Sequence, residues 1–190
     1  MIPKATYRLQ LGETFTFERA ASVVPYLRDL GVSHLYLSPI FESKSSHGYD
    51  VTDPRRINPR LGSFDVLTEA ARANGLGVII DIVPNHMSAS DDNPWWVDVQ
   101  SKGRDSEFAR VFDIDFETGR YRRFFDVNEL VGVRVEDLWV FDLTHSLVIE
   151  LMRRGQIDGV RVDHVDGLRD PGEYLRRLRD ALGPDAYIVV

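Results

Sequence analysis

The sequence contains no cysteine among its 190 residues. A disulfide framework and a thiolate metal site are therefore excluded, and a reducing compartment is the usual interpretation. The N-terminus has no basic stretch followed by an apolar signal core, and no apolar run approaches the roughly 18 residues of a membrane span. We therefore expect a soluble, cytoplasmic protein without a membrane partner.

The chain also has no excess of basic residues. The chain has 23 Lys and Arg against 30 Asp and Glu, a formal net charge of -7. Nucleic-acid binding needs a basic face, so the composition argues against such a partner. We expect the cluster of Arg176, Arg177 and Arg179 to cover a solvated helix face, because acidic neighbours dilute it. A doubly wound nucleotide-binding fold is disfavoured, since no Gly-x-Gly-x-x-Gly follows the first predicted strand.

The residues that are present suit a single α/β domain. Hydrophobic residues make up 43% of the chain, and short β-rich runs alternate with helical stretches, as in consecutive βα units of a parallel sheet. The pattern predicts strands at 6–11, 33–40, 77–83, 159–165 and 186–190. It predicts helices at 17–30, with a kink or break at Pro25, at 63–74, capped by Ser63, at 136–154, and from Pro171 to Gly183.

A long connection, residues 87–158, separates the third strand from the fourth, and an excursion of that size usually has a purpose. Its Trp95 and Trp96 could stack on pyranose rings, but packing of the loop is the more common role. The Asp-Asp-Asn run at 91–93 could hold a hard cation, although such a run is more typical of a turn. We expect no metal and no cofactor.

Polar residues lie at the ends of three predicted strands, where (β/α) barrels carry their reacting groups. They form the runs His47-Gly48-Tyr49-Asp50, Asp81-Ile82-Val83-Pro84-Asn85-His86 and Arg161-Val162-Asp163-His164-Val165-Asp166. Taken singly, His47, Asn85 and His86 are more typical of loop capping or core packing. His145, inside a predicted helix, is more typical still of a structural histidine.

An aspartate in an apolar strand costs several kcal/mol if unpaired, so Asp81 and Asp163 each need a partner. Arg161 is the obvious partner for Asp163, because side chains two residues apart on a strand share a face. A nearby guanidinium favours the ionised carboxylate that a glycosidic nucleophile has to be. A structural ion pair is the commoner explanation of an isolated Arg-x-Asp.

In this order, the three runs resemble the α-amylase family, family 13 of the glycoside hydrolases. Segments at 6–10, 34–39, 121–130 and 163–168 are similar to its malto-oligosyltrehalose synthase branch, and the resemblance covers nearly the whole chain. It implies a (β/α)8 barrel of the TIM type. We expect residues 1–190 to be the N-terminal portion of that catalytic barrel, holding five strands, with residues 87–158 as a shortened, elaborated connection.

The resemblance implies an intramolecular transglycosylation that converts the terminal α-1,4 bond of a malto-oligosaccharide to an α,α-1,1 linkage, through a covalent intermediate and with retention. Asp163 would be the nucleophile and Arg161 its electrostatic partner. The substrate-binding residues implied by the motifs are Tyr49, stacking in subsite -1, Asp50 and His47 beside it, His86 on the same sugar, Asn85 and Asp81 holding the loop, and His164 and Asp166 on the acceptor side.

The sequence departs from the family pattern in two places. The resemblance puts an acid/base Glu after the fifth strand, beyond Val190, and a longer subdomain where residues 116–120 form a tight turn. A barrel takes about 250 residues, so we expect self-association or a complementing barrel fragment. A natural truncated homologue, an engineered fragment and one part of a split enzyme stay open. Functional alternatives are an α-amylase-like hydrolase and an inactive glucan-binding fragment.

Overall fold

A computed structural model describes residues 2–190 of the chain. The strands are β1 (Thr6–Leu9), β2 (His34–Leu37), β3 (Phe41–Ser43), β4 (Val51–Ile57), β5 (Gly77–Ile82), β6 (His86–Ser88), β7 (Ile114–Asp115), β8 (Arg120–Tyr121), β9 (Arg123–Phe124), β10 (Val127–Gly132), β11 (Gly159–Val162) and β12 (Tyr187–Val189). The α-helices are α1 (Phe17–Asp29), α2 (Phe64–Ala73), α3 (Pro94–Lys102), α4 (Leu138–Arg153) and α5 (Pro171–Leu182).

Five of the strands form one parallel sheet in the order β1-β2-β5-β11-β12, which is also their order along the chain. The five predicted strands are confirmed, each shorter than its apolar run. Ile80 pairs with Leu37 on one side and Val160 on the other, and all three side chains are fully buried. In the next row Asp81 lies beside Arg161. The fold is therefore the five-stranded part of a (β/α) barrel.

The structure tests two predictions about the helices. The predicted break at Pro25 is wrong: helix α1 runs through Pro25 as one element, because one lost backbone hydrogen bond is outweighed by burial of Phe17, Val24 and Leu27. Ser63 precedes α2, but its side chain makes no capping bond; its backbone N–H instead donates to Glu18 Oε1 at 2.7 Å. The prediction that the helices lie between the strands is confirmed.

The arginine cluster in α5 also differs from the prediction. Arg176 forms an exposed ion pair with Glu173, as expected for a solvated helix face. Arg177, however, donates to the carbonyl oxygens of Val135 and Glu136, and Arg179 donates to the backbone that follows α5. The guanidinium groups of Arg177 and Arg179 thus donate hydrogen bonds to backbone carbonyl groups next to the ends of helices. Counting the charged neighbours in the sequence does not reveal such bonds.

Excursions from the sheet follow β2 and β5 at their carboxyl ends. The first is the antiparallel β3–β4 pair, and the second contains β6, α3 and the strands β7 to β10. Trp95 and Trp96 are buried, and Trp95 stacks on Phe108 at 5.0 Å, so both pack the excursion as predicted. The Asn93 side chain accepts hydrogen bonds from the first turn of α3, so run 91–93 ends in a helix cap.

The tight turn predicted at 116–120 is present between β7 and β8, where Gly119 has a φ of +70°. Such a φ favours glycine. Within residues 2–190, no helix has the length and apolarity needed to cross a membrane.

Candidate active site

The centre of the site is Asp81, near the end of β5 and completely buried. Its Oδ2 accepts hydrogen bonds from the hydroxyl groups of Tyr49 at 2.7 Å and Tyr36 at 2.8 Å. Arg161 Nη1 donates to both oxygens, at 3.1 and 3.3 Å. Burial raises the pKa of Asp81, while these donors oppose the rise by stabilising the carboxylate. The buried aspartate thus has the partners that its position in an apolar strand requires.

Arg161 joins this buried carboxylate to a more accessible one. The same Nη1 donates to Asp163 Oδ1 at 2.5 Å, so one guanidinium lies between two carboxylates. Strand β11 ends at Val162, and Asp163 follows it directly, on the face predicted from the two-residue spacing. Partial burial would lower the pKa of Arg161, but the carboxylates of Asp163 and Asp81, which accept its hydrogen bonds, raise the pKa overall. Arg161 is therefore a permanent positive charge under Asp163.

Tyr49 is held from two sides. Besides the bond to Asp81, its hydroxyl accepts from Arg8 Nη2 at 3.2 Å. Burial, reinforced by the neighbouring carboxylate, raises the pKa of Tyr49 to about 12, so the phenol is protonated at neutral pH. Sequence reasoning assigned no role to Arg8 or Tyr36. The sequence signal for these two residues was the alternation of side chains between the two faces of a sheet, because Arg8 and Tyr36 lie opposite each other in the β1–β2 register.

The loop that carries Tyr49 is shaped by its neighbours in the motif. Asp50 Oδ1 accepts from the backbone N–H and the hydroxyl of Ser45, at 3.0 and 2.9 Å. His47 is exposed, and its Nδ1 accepts from the backbone N–H of Tyr49 at 3.1 Å. His47 Nε2 is 3.9 Å from Asp50 Oδ2. The contacts of both side chains are therefore with the loop itself.

His86 is the first residue of β6 and lies within the electrostatic influence of Asp163. Its ring is buried and stacks on Phe124 at 4.1 Å between centroids. Burial lowers the pKa of His86 to about 4, although the Asp163 carboxylate opposes this shift. The imidazole is therefore neutral at physiological pH.

Asn85 is held in place by Arg122, which sequence reasoning missed. Arg122 Nη1 donates to Asn85 Oδ1 at 2.9 Å, while Asn85 Nδ2 lies 3.3 Å from His86 Nδ1. Because the amide oxygen already accepts from Arg122, the amide nitrogen donates to Nδ1, which assigns the His86 proton to Nε2. Arg122 also bonds to Asp113 at 3.0 Å. The signal for Arg122 lay in segment 121–130, where no single residue had been singled out.

The acceptor-side residues border an open groove with a volume of about 440 Å³. His164 has a φ of +50°, and its Nδ1 is 3.4 Å from Asp166 Oδ1, on an exposed side chain. The groove is lined by Phe124, Phe125, Arg161, Asp163, His164 and Asp166, among others. Within residues 2–190, no group of three or more His, Asp or Glu is arranged to hold a metal ion.

These positions match a known enzyme family. The model of the α-amylase catalytic domain matches residues 20–181. The chain belongs to the α-amylase family. A Mycobacterium tuberculosis protein, "Putative maltooligosyl trehalose synthase", is 39% identical over 98% of this chain and 34% of its own length. Neopullulanase 2 from Thermoactinomyces vulgaris is 35% identical over 87% of this chain and 30% of its own length.

A solved structure of the α-amylase family is similar in both sequence and fold. Maltooligosyltrehalose synthase from Arthrobacter ramosus superposes with a TM-score of 0.94 and 38% identity, covering 98% of this chain and 34% of that one. The resemblance to the trehalose-forming branch is therefore confirmed. The chain spans about a third of the length of the curated relatives it matches. The alignment to the mycobacterial protein runs over 260 positions, so about 70 of them contain no residue of this 190-residue chain.

Proposed function

We propose that this chain forms the nucleophile side of a retaining glucan-transfer site, with Asp163 attacking the anomeric carbon of an α-1,4-glucan. The observation that carries the proposal is the guanidinium of Arg161, held by the buried Asp81 and bonded to Asp163 Oδ1 at 2.5 Å. Among residues 2–190, no side chain hydrogen-bonds Asp163 Oδ2. That oxygen is available to a substrate in the groove.

In the first step a bond forms between Asp163 Oδ2 and the anomeric carbon as the glycosidic C–O bond breaks. The departing sugar oxygen takes a proton from a carboxylic acid, which the family resemblance puts after the fifth strand, outside residues 1–190. In the second step the anomeric hydroxyl of the departed glucose returns its proton to that carboxylate as its oxygen attacks the same carbon, and the bond from the carbon to Asp163 breaks. The product has an α,α-1,1 linkage, and configuration is retained after two inversions.

Tyr49 and His86 are proposed to bind the donor sugar. The pKa of His86 at about 4 supports a neutral imidazole, which forms hydrogen bonds without adding positive charge beside an oxocarbenium-like transition state. The bonds from Tyr49 to Asp81 and Arg8 fix its ring for stacking. Asp50 and His47 support this loop, and Asn85 orients His86. His164 and Asp166 are proposed to face the acceptor.

Similarity to the relatives supports the proposal that residues 1–190 are the N-terminal portion of a larger catalytic barrel, with 87–158 as its elaborated connection. A cytoplasmic location is proposed from the composition of the sequence alone. Strands β1 and β12 each pair on one side only within the parallel sheet of the described residues. A second copy or a complementing barrel fragment is proposed to cover these edges. The mass of the purified protein in solution, measured by light scattering, tests for the second copy.

The nucleophile is tested with 5-fluoro-α-D-glucosyl fluoride. Fluoride leaves without protonation, so this reagent traps a glycosyl ester even where no acid assists. We expect one added glycosyl group, located on Asp163 by peptide mass spectrometry. The substitution Asp163→Asn abolishes this label, while Asp29→Asn, a control at an exposed carboxylate outside the groove, retains it. A chain that binds maltohexaose but is labelled elsewhere or nowhere contradicts the assignment.

Hydrolysis is the second candidate, because the neopullulanase relative aligns over most of this chain. Incubation with maltohexaose separates the two reactions. Rearrangement removes reducing ends without changing chain length, whereas hydrolysis creates reducing ends. Saturable binding without labelling or turnover, lost in Tyr49→Ala, indicates instead a chain that only binds glucan.

A further inference from the structure

Aromatic rings lead from the site to the tip of the β9–β10 hairpin. The His86 ring stacks on Phe124 at 4.1 Å, and Phe124 lies 4.3 Å from Phe125 between ring centroids. His164 contacts both phenylalanine rings, at 4.7 and 5.1 Å. The rings form one continuous surface that begins at a buried histidine and ends in solvent.

Phe125 is the exposed end of this surface. Its exposed fraction is 73%, higher than that of any other phenylalanine, tyrosine or tryptophan in residues 2–190. Burial within the described fold therefore does not explain a phenylalanine here.

The backbone does not favour phenylalanine at this position either. Phe125 and Asp126 form the two-residue turn between β9 and β10, with φ values of +47° and +60°. A turn with two positive φ angles favours Asn-Gly, and a bulky residue there is strained. The third non-glycine residue with a positive φ among residues 2–190 is His164, whose ring contacts Phe125. Strained residues clustered at a groove point to a ligand contact.

We propose that Phe125 is the stacking platform for a glucosyl unit on the leaving-group side of Asp163. The proposal rests on the proposed function, because it takes Asp163 as the nucleophile. Phe125 and Asp163 line the same open groove, with Arg161 below and His164 beside them. The apolar C–H face of a pyranose ring packs on an aromatic ring, while its hydroxyl groups reach polar neighbours. The ligand class is an α-1,4-glucan that extends past the cleaved bond.

The hairpin is built to hold this platform in place. Arg122, next to β9, bonds to Asn85 Oδ1, to the Val133 carbonyl oxygen at 3.1 Å and to Asp113. Gly132 in β10 leaves room for it, since an added Cβ would lie 2.5 Å from the Arg122 side chain. The base of the hairpin is thus fixed to the loop that carries His86, and the tip projects over the groove.

The test compares two probes on the full 190-residue chain. Maltohexaose occupies both sides of the cleaved bond, whereas 5-fluoro-α-D-glucosyl fluoride has no sugar on the leaving side. Phe125→Ala is expected to weaken maltohexaose binding, measured by calorimetry, by roughly 3- to 10-fold. The rate of labelling is expected to change by less than about 2-fold. Phe125→Trp retains binding because it keeps an aromatic face, and Val127→Ala, on the same hairpin, is the matched control.

The outcomes separate this inference from the proposed function. If Asp163 is labelled and Phe125→Ala leaves the maltohexaose dissociation constant unchanged, the platform is refuted and the nucleophile stands. Equal losses of binding and labelling in Phe125→Ala also refute the platform, since they indicate a structural role. If the unmodified chain is not labelled and binds no maltohexaose, the proposed function fails, and the platform fails with it.

Discussion

Removing the positive charge of Arg161 should lower the free energy of unfolding more at neutral pH than at acid pH. Asp81 is completely buried, and its remaining donors after Arg161→Met are the hydroxyl groups of Tyr36 and Tyr49. Removing one partner of a buried ion pair costs about 3–5 kcal/mol. Because two hydroxyl bonds remain, we expect a loss of about 3 kcal/mol in the free energy of unfolding at pH 7.

The pH dependence follows from the pKa of Asp81, which burial raises above its ordinary 3.8 in the folded chain. A raised folded-state pKa means that the folded chain binds more protons than the unfolded chain, so stability falls as pH rises through that pKa. Loss of Arg161 raises the pKa of Asp81 further. The deficit of Arg161→Met relative to the wild type is therefore largest at neutral pH and shrinks as pH falls towards 3.8.

Urea unfolding followed by circular dichroism between pH 5 and pH 7 measures this difference. Adding Asp81→Asn to Arg161→Met should recover part of the lost stability, because no buried charge is then left unpaired. Arg28→Met, at an exposed arginine, is the control and should cost less than about 1 kcal/mol. A deficit that is independent of pH, or that Asp81→Asn increases, would refute this account of the site.

Two further predictions concern other parts of the fold. Gly159→Ala places a Cβ 2.2 Å from the Tyr187 carbonyl oxygen and should lower the unfolding free energy by about 2 kcal/mol or more, whereas Gly12→Ala meets no atom within 4 Å and should not. Burial lowers the pKa of His145 to about 4, so its contribution to stability is lost as pH falls from about 6.5 towards 4. For His145→Gln, urea titrations should show a loss of unfolding free energy between pH 7 and pH 5 that is smaller by about 2 kcal/mol than the loss in the wild type. The variant His47→Gln, at an exposed histidine, should match the wild type. Equal stability of the two glycine variants would contradict the first prediction. Equal losses of unfolding free energy on acidification for the two histidine variants would contradict the second.

The parallel sheet was predictable because short β-rich runs alternate with longer helical stretches along the chain. Arg161 and Asp163 could be paired because their spacing is local, two residues apart. The partner that holds Arg161 from below could not be derived in this way, since Asp81 precedes it by 80 residues. Its position opposite Arg161 is set by the β5–β11 register, which hydrophobic pattern alone does not fix.

The strands within the excursions were beyond sequence reasoning for a different physical reason. Strands β9 and β10 carry polar residues and a turn with phenylalanine instead of Asn-Gly, so the usual hairpin signal is missing. Ser63 was chosen as a cap from its residue type, but its side chain makes no capping bond, and its backbone N–H donates to Glu18, 45 residues away. Contacts with residues far away in the chain contribute at such positions, and one sequence shows only the local neighbours.

The order of the strands also has a consequence for synthesis of the chain. Each new parallel strand adds to the edge of the previous one, so the sheet can grow in the direction of translation. Asp81 leaves the ribosome 80 residues before Arg161, a delay of roughly 4–16 s at ordinary rates of synthesis. During that interval the nascent sheet holds an aspartate without its counter-charge. The edge formed by β5 therefore reaches its final stability only when β11 arrives, and a chain stalled before Arg161 is an expected substrate for chaperones and proteases.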